Sequence, residues 1–351
     1  MTRWIARAVA GAGLAAAFYA LLIERARIRL DRFTVTIDKP GLPPDGLTIL
    51  HLSDLHCRAN GRMQGVKLTR LQRLLAGEHY DLLALTGDLI HNTDGLSAAL
   101  AFIEPLHPRL GAFSCPGNRD YWESGFSAMF RRGPRADGQP RWINLIDAAC
   151  EAWRFGGRVA RNERASLHMV ANDVPAMHRA LAARGIEPLV NRAHHVRADS
   201  VDLWLAGVDD LTQGTPDLGA ALADVPAGAP LLLLSHNPDI WLDPRVQQAD
   251  LTLAGHTHGG QIRLPLVGAL YTQGTHLTRH RPAGWFRRGT SRMFVSRGVG
   301  ESFPLRFGAR PQAALIRLVP GRDQVTVLLL ELEAPGNVSA RFRRLRSCDT
   351  E

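Results

Sequence analysis

The stretch LTILHLSDLH, Leu47 to His56, carries a largely apolar segment straight into a Ser-Asp-Leu-His cluster. The same pattern returns in DLLALTGDLI (Asp81 to Ile90), GAFSCPGNRD (Gly111 to Asp120), LWLAGVDD (Leu203 to Asp210), PLLLLSHNPD (Pro230 to Asp239) and LTLAGHTHGG (Leu251 to Gly260). Short apolar runs bounded by Gly and Pro read as buried strands. Segments with helical spacing lie between them: Val66 to Ala76, with Leu68, Leu71 and Leu75 on one face, then Leu96 to Leu106 and Pro175 to Arg184. This alternation predicts an α/β domain whose polar residues gather at the carboxyl ends of strands. Farther on, RMFVSRGVG, AALIRLV and QVTVLLLEL follow one another without helices, and we expect them to be antiparallel strands completing a second sheet.

Bulk composition bounds the function. A chain of 351 residues with 45% hydrophobic content can bury a sizeable core, as one large domain or two small ones. The net charge is +9, but nearly all basic residues are Arg, with Lys only at Lys39 and Lys67, and they are scattered. No run of five like charges and no nucleic-acid-binding motif appears, so nucleic acid is not an expected partner. Cys57, Cys115, Cys150 and Cys348 lack paired CxxC spacing and read as reduced thiols. Cys57 follows His56 and reads as a small neighbour pointing away from any metal.

The organisation expected is an N-terminal segment (1–30), a main domain (40–335) and a basic tail (336–351) that reads as a solvated, frayed end. Ala8 to Ile23 is apolar and uncharged, with Arg3 and Arg7 before it and Arg25, Arg27 and Arg29 after it. It is short for a bilayer core of about 30 Å. We read it as an uncleaved anchor, with a helix lying in the membrane interface or a cleaved signal peptide as alternatives. The flanking arginines place the body on the cytoplasmic side, and residues 4–23 are the expected contact with a membrane surface or bilayer. Between residues 125 and 170, Phe126, Phe130, Trp142, Trp153 and Phe155 stand among arginines, with no strand ending in a ligand. A long connection beside a site is expected to act as a lid or binding loop, or simply to pack as a surface insertion.

Singly, each polar cluster is ambiguous. Together, SDLH, TGDL, PGNRD, SHNPD and AGHTHGGQ place two carboxylates, one amide and four imidazoles at strand ends. That mix of hard oxygen and borderline nitrogen donors suits Mn, Fe or Zn better than Mg or Ca. The ordered motifs resemble those of the calcineurin-like metallophosphoesterases, and GHTHGGQ with SHNPD and VSRGVG resembles the membrane-associated bacterial subgroup. The resemblance spans Leu47 to Val319. It implies a four-layer α/β/β/α sandwich of two mixed sheets with a dinuclear metal site. By position, Asp54, His56 and His258 would hold one metal, Asn118, His236 and His256 the other, and Asp88 would bridge them. Two divalent ions, Mn favoured, would share a hydroxide and clamp a phosphoryl group for in-line attack. Asp120, Asp239 or backbone carbonyls would orient the ligand histidines. Ser53 reads as structural, Asp209 and Asp210 as capping or supporting residues, and His194 and His195 as surface.

The resemblance has one departure. Most of the family carries His where this chain has Arg119, in GNRD. Arginine stays charged and cannot protonate a leaving alkoxide, whereas a leaving phosphate needs charge stabilisation and no proton. Asn118, Arg119 and Asp120 are therefore the candidate catalytic turn, with Arg119 and Arg297 as candidate substrate-binding groups. For Arg297 an ion pair holding a turn is the alternative. The GNRD wording is also that of the UDP-2,3-diacylglucosamine pyrophosphohydrolases of lipid A biosynthesis, which the chain resembles in its metal motifs. The expected substrate is thus a phosphorylated small molecule or a lipid-linked pyrophosphate, the acylated UDP-glucosamine favoured. The alternatives are a general phosphodiesterase or phosphatase acting on a soluble compound and a catalytically weakened membrane scaffold that binds metal.

Overall fold

The computed structural model describes residues 2–59, 61–123, 131–132, 141–142, 153–154, 156–158, 160–163, 171–321, 325–332 and 338–344. The first sheet receives β1 (Arg29–Ile37), β2 (Leu47–Leu52), β3 (Leu82–Thr86), β4 (Gly111–Cys115) and β5 (Ile186–Pro188). The second is built from β6 (Arg192–Ala198), β7 (Val201–Gly207), β8 (Leu231–Leu234), β9 (Leu251–Ala254), β10 (Gly284–Arg288) and β11 (Ser291–Val295). The chain then returns to the first sheet with β12 (Gln312–Pro320), β13 (Val325–Leu332) and β14 (Val338–Arg344). Their spatial orders are β14-β13-β1-β12-β2-β3-β4-β5 and β10-β11-β9-β8-β7-β6. Both sheets are mixed: β2, β3, β4 and β5 run parallel, as do β7, β8, β9 and β11, with antiparallel strands at their flanks.

Side-chain alternation explains the layering. Leu47 and Ile49 of β2 face the second sheet, where they join Leu82, Ala84, Leu205, Leu232 and Leu253 in one core. Leu50 and Leu52 face the other way, with Leu83 and Leu85, beneath Leu68, Leu71, Leu100 and Met177 of three helices. Those helices are Arg62–Leu75, Leu96–Ile103 and Val174–Ala182. The last is started by Asp173, whose side chain accepts from the Ala176 amide at 2.8 Å, with Pro175 in the first turn. On the outer face of the second sheet, Ala206, Leu231 and Leu233 pack against Leu218, Leu222, Ile240 and Val246. The result is the α/β/β/α sandwich. Strands covered on both faces explain the near-continuous apolar runs, because each buried Leu contributes about 1.5–3 kcal/mol whichever sheet face it occupies.

The C-terminal strands differ from expectation. Ser291–Val295 does join the second sheet, but parallel to β9, and β12 and β13 enter the first sheet instead. β12 wedges between β1, which it joins in parallel, and β2, which it joins antiparallel, burying Ala314, Ile316 and Leu318 in the inter-sheet core. An apolar pattern says that a strand is buried and leaves its partner open. β1 itself, RLDRFTVTI, went unread as a strand beside the hinge that follows it. The basic tail is paired rather than frayed where it is described: Val338–Arg344 lies antiparallel to β13. Most of 125–170 lies outside the described residues, with Phe126, Phe130 and Phe155 among those not described, so its reading as a lid stays an expectation.

The N-terminal segment is helical over Thr2–Phe18, continues through a wider π turn at Tyr19–Ile23 and ends at Glu24–Ala26. Its root is stapled to the domain. The buried Glu24 carboxylate accepts from the amides of Gly308 (3.0 Å) and Ala309 (2.8 Å), and the Ala20 carbonyl accepts from the Arg306 amide at 3.0 Å. Above this root Trp4, Leu14, Phe18, Leu21, Leu22 and Ile23 are exposed. Among the described residues no helix is long and apolar enough to cross a membrane.

Candidate metal centre

Five strand ends deliver the predicted residues to one place. Asp54 and His56 follow β2, Asp88 follows β3, Asn118 follows β4, His236 follows β8, and His256 and His258 follow β9. At Asp54, His56, Asp88, His256 and His258 the backbone is left-handed, with φ between 49° and 70°. Non-glycine residues adopt that conformation at a cost of roughly 1–2 kcal/mol each, and it persists where the surroundings over-determine it. Here it turns each side chain sharply off its strand toward the others.

Two glycines make the approach possible. A Cβ on Gly87, at φ 73°, would lie 2.6 Å from the Gly117 nitrogen and 2.7 Å from His236 Nδ1. A Cβ on Gly117 would collide with the Asp88 carboxylate. The turns after β3 and β4 therefore touch backbone to backbone, and only glycine fits the contact.

The donor atoms converge tightly. Asp54, His56 and His258 offer atoms within 4.8 Å of one another, and so do Asp54, Asp88 and His236. Asp88 Oδ2 lies 3.6 Å from His56 Nε2 and 3.4 Å from His236 Nε2, so one oxygen stands between the two groups. His56 Nε2 and His258 Nε2 are 3.1 Å apart; His256 Nδ1 is 3.2 Å from His236 Nε2 and 3.0 Å from Asn118 Oδ1. Lone pairs at these distances repel unless a proton or a cation lies between them, and one divalent cation relieves several such contacts at once. Burial, reinforced by the neighbouring histidines, holds His56 well below the usual imidazole range; burial and Arg306 do the same to His258. Both rings are thereby neutral, each with a lone pair to offer. Burial opposes charge on His236, but Asp88 overcomes it and raises its pKa to about 10, so a proton competes for the position a cation would take. Burial pushes Asp54 up to about 6. The residues fit a pair of divalent cations.

The supporting contacts are now assignable. His236 Nδ1 is 2.8 Å from the Thr86 carbonyl, which aims Nε2 at the centre, so a backbone carbonyl orients this ring. The Asp239 carboxylate accepts from the His276 amide and lies 3.2 Å from His276 Nδ1. Asp120, fully buried, accepts from four amides: Asp88 (2.8 Å), Leu89 (2.8 Å), Ile90 (3.1 Å) and Gly117 (2.9 Å). It therefore holds the Asp88 loop against the Asn118 turn. Ser53 Oγ lies 2.6 Å from Asp54 Oδ2 and 2.9 Å from the Thr86 carbonyl, within reach of its one proton for either, a structural role. Asp209 and Asp210 take amides of their own turn, including those of Thr212, Gln213 and Thr215, and Tyr121 donates to Asp209. Cys57 is buried in the helical-side core, and burial raises its thiol to about 12, so it offers no thiolate. His194 and His195 stand on β6 beside Glu187 and Asp202, with no part in the cluster.

Arg119 is half-buried at the turn. Its amide donates to Asp88 Oδ1 at 2.7 Å, and its carbonyl accepts from Asn172 at 2.9 Å. Burial lowers the guanidinium pKa, Asp88 offsets this, and Arg58 adds to it. Arg58 went unmarked in the sequence, although it stands two residues after His56; its Nη2 is 3.3 Å from Nδ1 of buried His91. Arg306 was also missed. It is fully buried and donates to the carbonyls of Arg297, Gly300 and Ala309, with His258 beside it. Nothing in the local wording LRFG separates such an arginine from a surface one. Arg297 donates to Asp31 at 3.0 Å and lines a cavity at the root of the N-terminal helix.

A family model described as calcineurin-like phosphoesterase matches residues 47–260. The chain is 27% identical to the uncharacterized metallophosphoesterase YkuE of Bacillus subtilis, over 86% of this chain and 88% of that protein. It is 25% identical to the UDP-2,3-diacylglucosamine pyrophosphatase LpxG of Chlamydia trachomatis, over 84% and 90% of the two chains. With the phosphodiesterase YaeI of Escherichia coli it shares 35% identity over 40% of this chain and 50% of that one.

Proposed function

The chain belongs to the calcineurin-like phosphoesterases and is a metal-dependent phosphohydrolase, and from that premise we propose that it cleaves a phosphoric anhydride carried on a lipid-linked substrate, an acylated UDP-glucosamine being favoured. Asp54, His56 and His258 would hold one divalent cation, Asn118, His236 and His256 the second, and Asp88 both, with manganese the favoured metal. Bound there, the cations would supply Lewis acidity toward a phosphoryl group and an acidified water. The protein's own part is positioning and charge. Asp120 holds the Asp88 loop through its four amides, the Thr86 carbonyl sets the His236 ring, and the Arg119 backbone fixes one Asp88 oxygen.

The observation that carries the reading is Arg119 in its turn beside Asp88. Its guanidinium stabilises charge on a departing phosphate and has no proton to give an alkoxide. The wide match to LpxG supports the substrate class. The exposed apolar helix supports a membrane-surface setting, in which the body faces the cytoplasm. Described parts of the insertion reach the neighbourhood of the centre: Asn162 accepts from Thr272 at 2.9 Å, and Tyr271 donates to the Glu163 carbonyl at 3.2 Å. Tyr271 and Arg119 lie near enough to each other to couple electrostatically.

The test is direct. Purified protein with Mn²⁺ and UDP-2,3-diacylglucosamine should release UMP, and turnover no higher than a metal-stripped control removes the substrate assignment. An alkyl phosphodiester assayed in parallel separates this reading from a general phosphodiesterase, which would prefer the diester.

A further inference from the structure

A cavity of about 560 Å³ lies at the root of the N-terminal helix, and none of the candidate metal ligands lines it. Four guanidiniums line it, those of Arg29, Arg263, Arg297 and Arg310, with Glu24 as the one carboxylate in its wall. Glu24 is already committed to two backbone amides. Asp31 is shared between Arg29 at 3.3 Å and Arg297 at 3.0 Å, and it also accepts from Gln312 at 2.6 Å. Arg263 donates to the His280 carbonyl at 3.1 Å, and among the described residues neither it nor Arg310 has a carboxylate partner. The cluster thus holds more positive charge than its own acids neutralise. Arg297 registers this: burial lowers its pKa, Asp31 offsets the effect, and Arg29, Arg263 and Arg310 lower it further. An anion entering the cavity would relieve that repulsion and accept from planar donors suited to phosphate oxygens.

The surroundings identify the source of the anion. Leu264 and Pro265 form one wall, and they belong to a two-stranded ribbon, Arg263–Leu264 with Gly268–Ala269, whose tip bears Leu266 at 98% exposure and exposed Val267. Tyr19 and Phe307, packed edge to face at 6.3 Å, form another wall, and the helix above carries exposed Phe18 and Leu22. These segments are joined by backbone hydrogen bonds: Arg263 to Phe307 (2.7 Å), Arg306 to Ala20 (3.0 Å) and Arg29 to Pro311 (3.0 Å). A fully exposed leucine at a ribbon tip and an apolar helix would flank the cavity mouth at the depth where a bilayer places its phosphates. A site for a free phosphate has no need of either.

We propose that this arginine-lined cavity holds the phosphate headgroup of a membrane lipid, with the ribbon tip and the N-terminal helix inserted on either side of it. This rests on the membrane-surface reading of the helix, and the two fail differently. The experiment uses the full metal-loaded chain and vesicles of phosphatidylcholine with or without phosphatidic acid, read by sedimentation. The wild type should bind the phosphatidic acid vesicles more tightly. The double variant Arg263→Ala/Arg310→Ala should lose roughly tenfold or more of that preference, at about 1 kcal/mol per arginine, while still binding phosphatidylcholine. A control double variant, Arg184→Ala/Arg245→Ala, removes the same charge from outside the cavity and should keep the preference. Equal loss in both double variants, or a preference that survives Arg263→Ala/Arg310→Ala, overturns the site. Thermal stabilisation by inorganic phosphate that depends on Arg263 and Arg310, without any vesicle preference, would make it a soluble-phosphate site and overturn the lipid assignment. Absence of binding to either vesicle would remove the membrane reading along with the proposal.

Discussion

Replacing Asp120 by Asn tests how the centre is held. The carboxylate accepts from Asp88 and Gly117 on one oxygen and from Leu89 and Ile90 on the other. Burial and the Asp88 charge push its pKa up to about 7, against the pull of these amides. An Asn amide keeps one oxygen and turns an NH₂ toward the other two donors. Each buried donor left unsatisfied costs about 1–3 kcal/mol, so Asp120→Asn should lose roughly 2–5 kcal/mol of stability. At about 2.1 cal/mol/K of unfolding entropy per residue, that is a fall in Tm of roughly 3–7 °C. The same change frees the loop that carries Asp88, so metal affinity should drop roughly 10–100-fold, as for other outer partners of ligands. Leu71→Ala, on the helical side of the first sheet, supplies the comparison, because it costs a similar 2–5 kcal/mol and touches no ligand loop. Scanning fluorimetry gives Tm, and metal titration gives affinity. Asp120 does not hold the centre if Asp120→Asn binds metal as the wild type does, or if Leu71→Ala weakens metal binding equally.

Three further outcomes are expected. Arg119→Ala should lower kcat on a UDP-linked anhydride by roughly a hundredfold, as loss of a charge-stabilising donor does, while Arg119→His should raise the ratio of diester to anhydride hydrolysis; parallel assays of both substrates decide it. Asp88→Asn should bring turnover to the metal-stripped level and reduce the bound metal measured by elemental analysis, since one oxygen lies within 3.6 Å of both His56 and His236. In the metal-free protein Asp54 keeps its proton to about pH 6, whereas the unfolded chain loses it near 3.8. The native state therefore binds more protons in that window, and this group makes stability fall as pH rises through it. Bound metal should abolish the decline; thermal melts of chelated and Mn²⁺-loaded protein between pH 4 and 7 read the difference.

The strand ends were legible because buried strands have an apolar signature and because Asp, His and Asn stand out after it. Helices Arg62–Leu75, Leu96–Ile103 and Val174–Ala182 were legible from their spacing, to within a few residues at each end. Other features left no local trace. Arg306 lies in the interior only because the 300–309 loop folds under the N-terminal helix, and the place of β12 between β1 and β2 depends on two partners far apart in the chain.

What the sequence determined by itself is the chemistry: seven donor side chains, each at the end of an apolar run, and an arginine where a proton donor would otherwise stand. The tertiary structure decided the geometry. It bends five non-glycine residues into the left-handed region, seats Asp120 under four amides and sets one Asp88 oxygen between two imidazoles. Those outcomes depend on contacts between segments tens to hundreds of residues apart, and a side chain's local pattern carries its hydrophobicity and charge but not its distant neighbours.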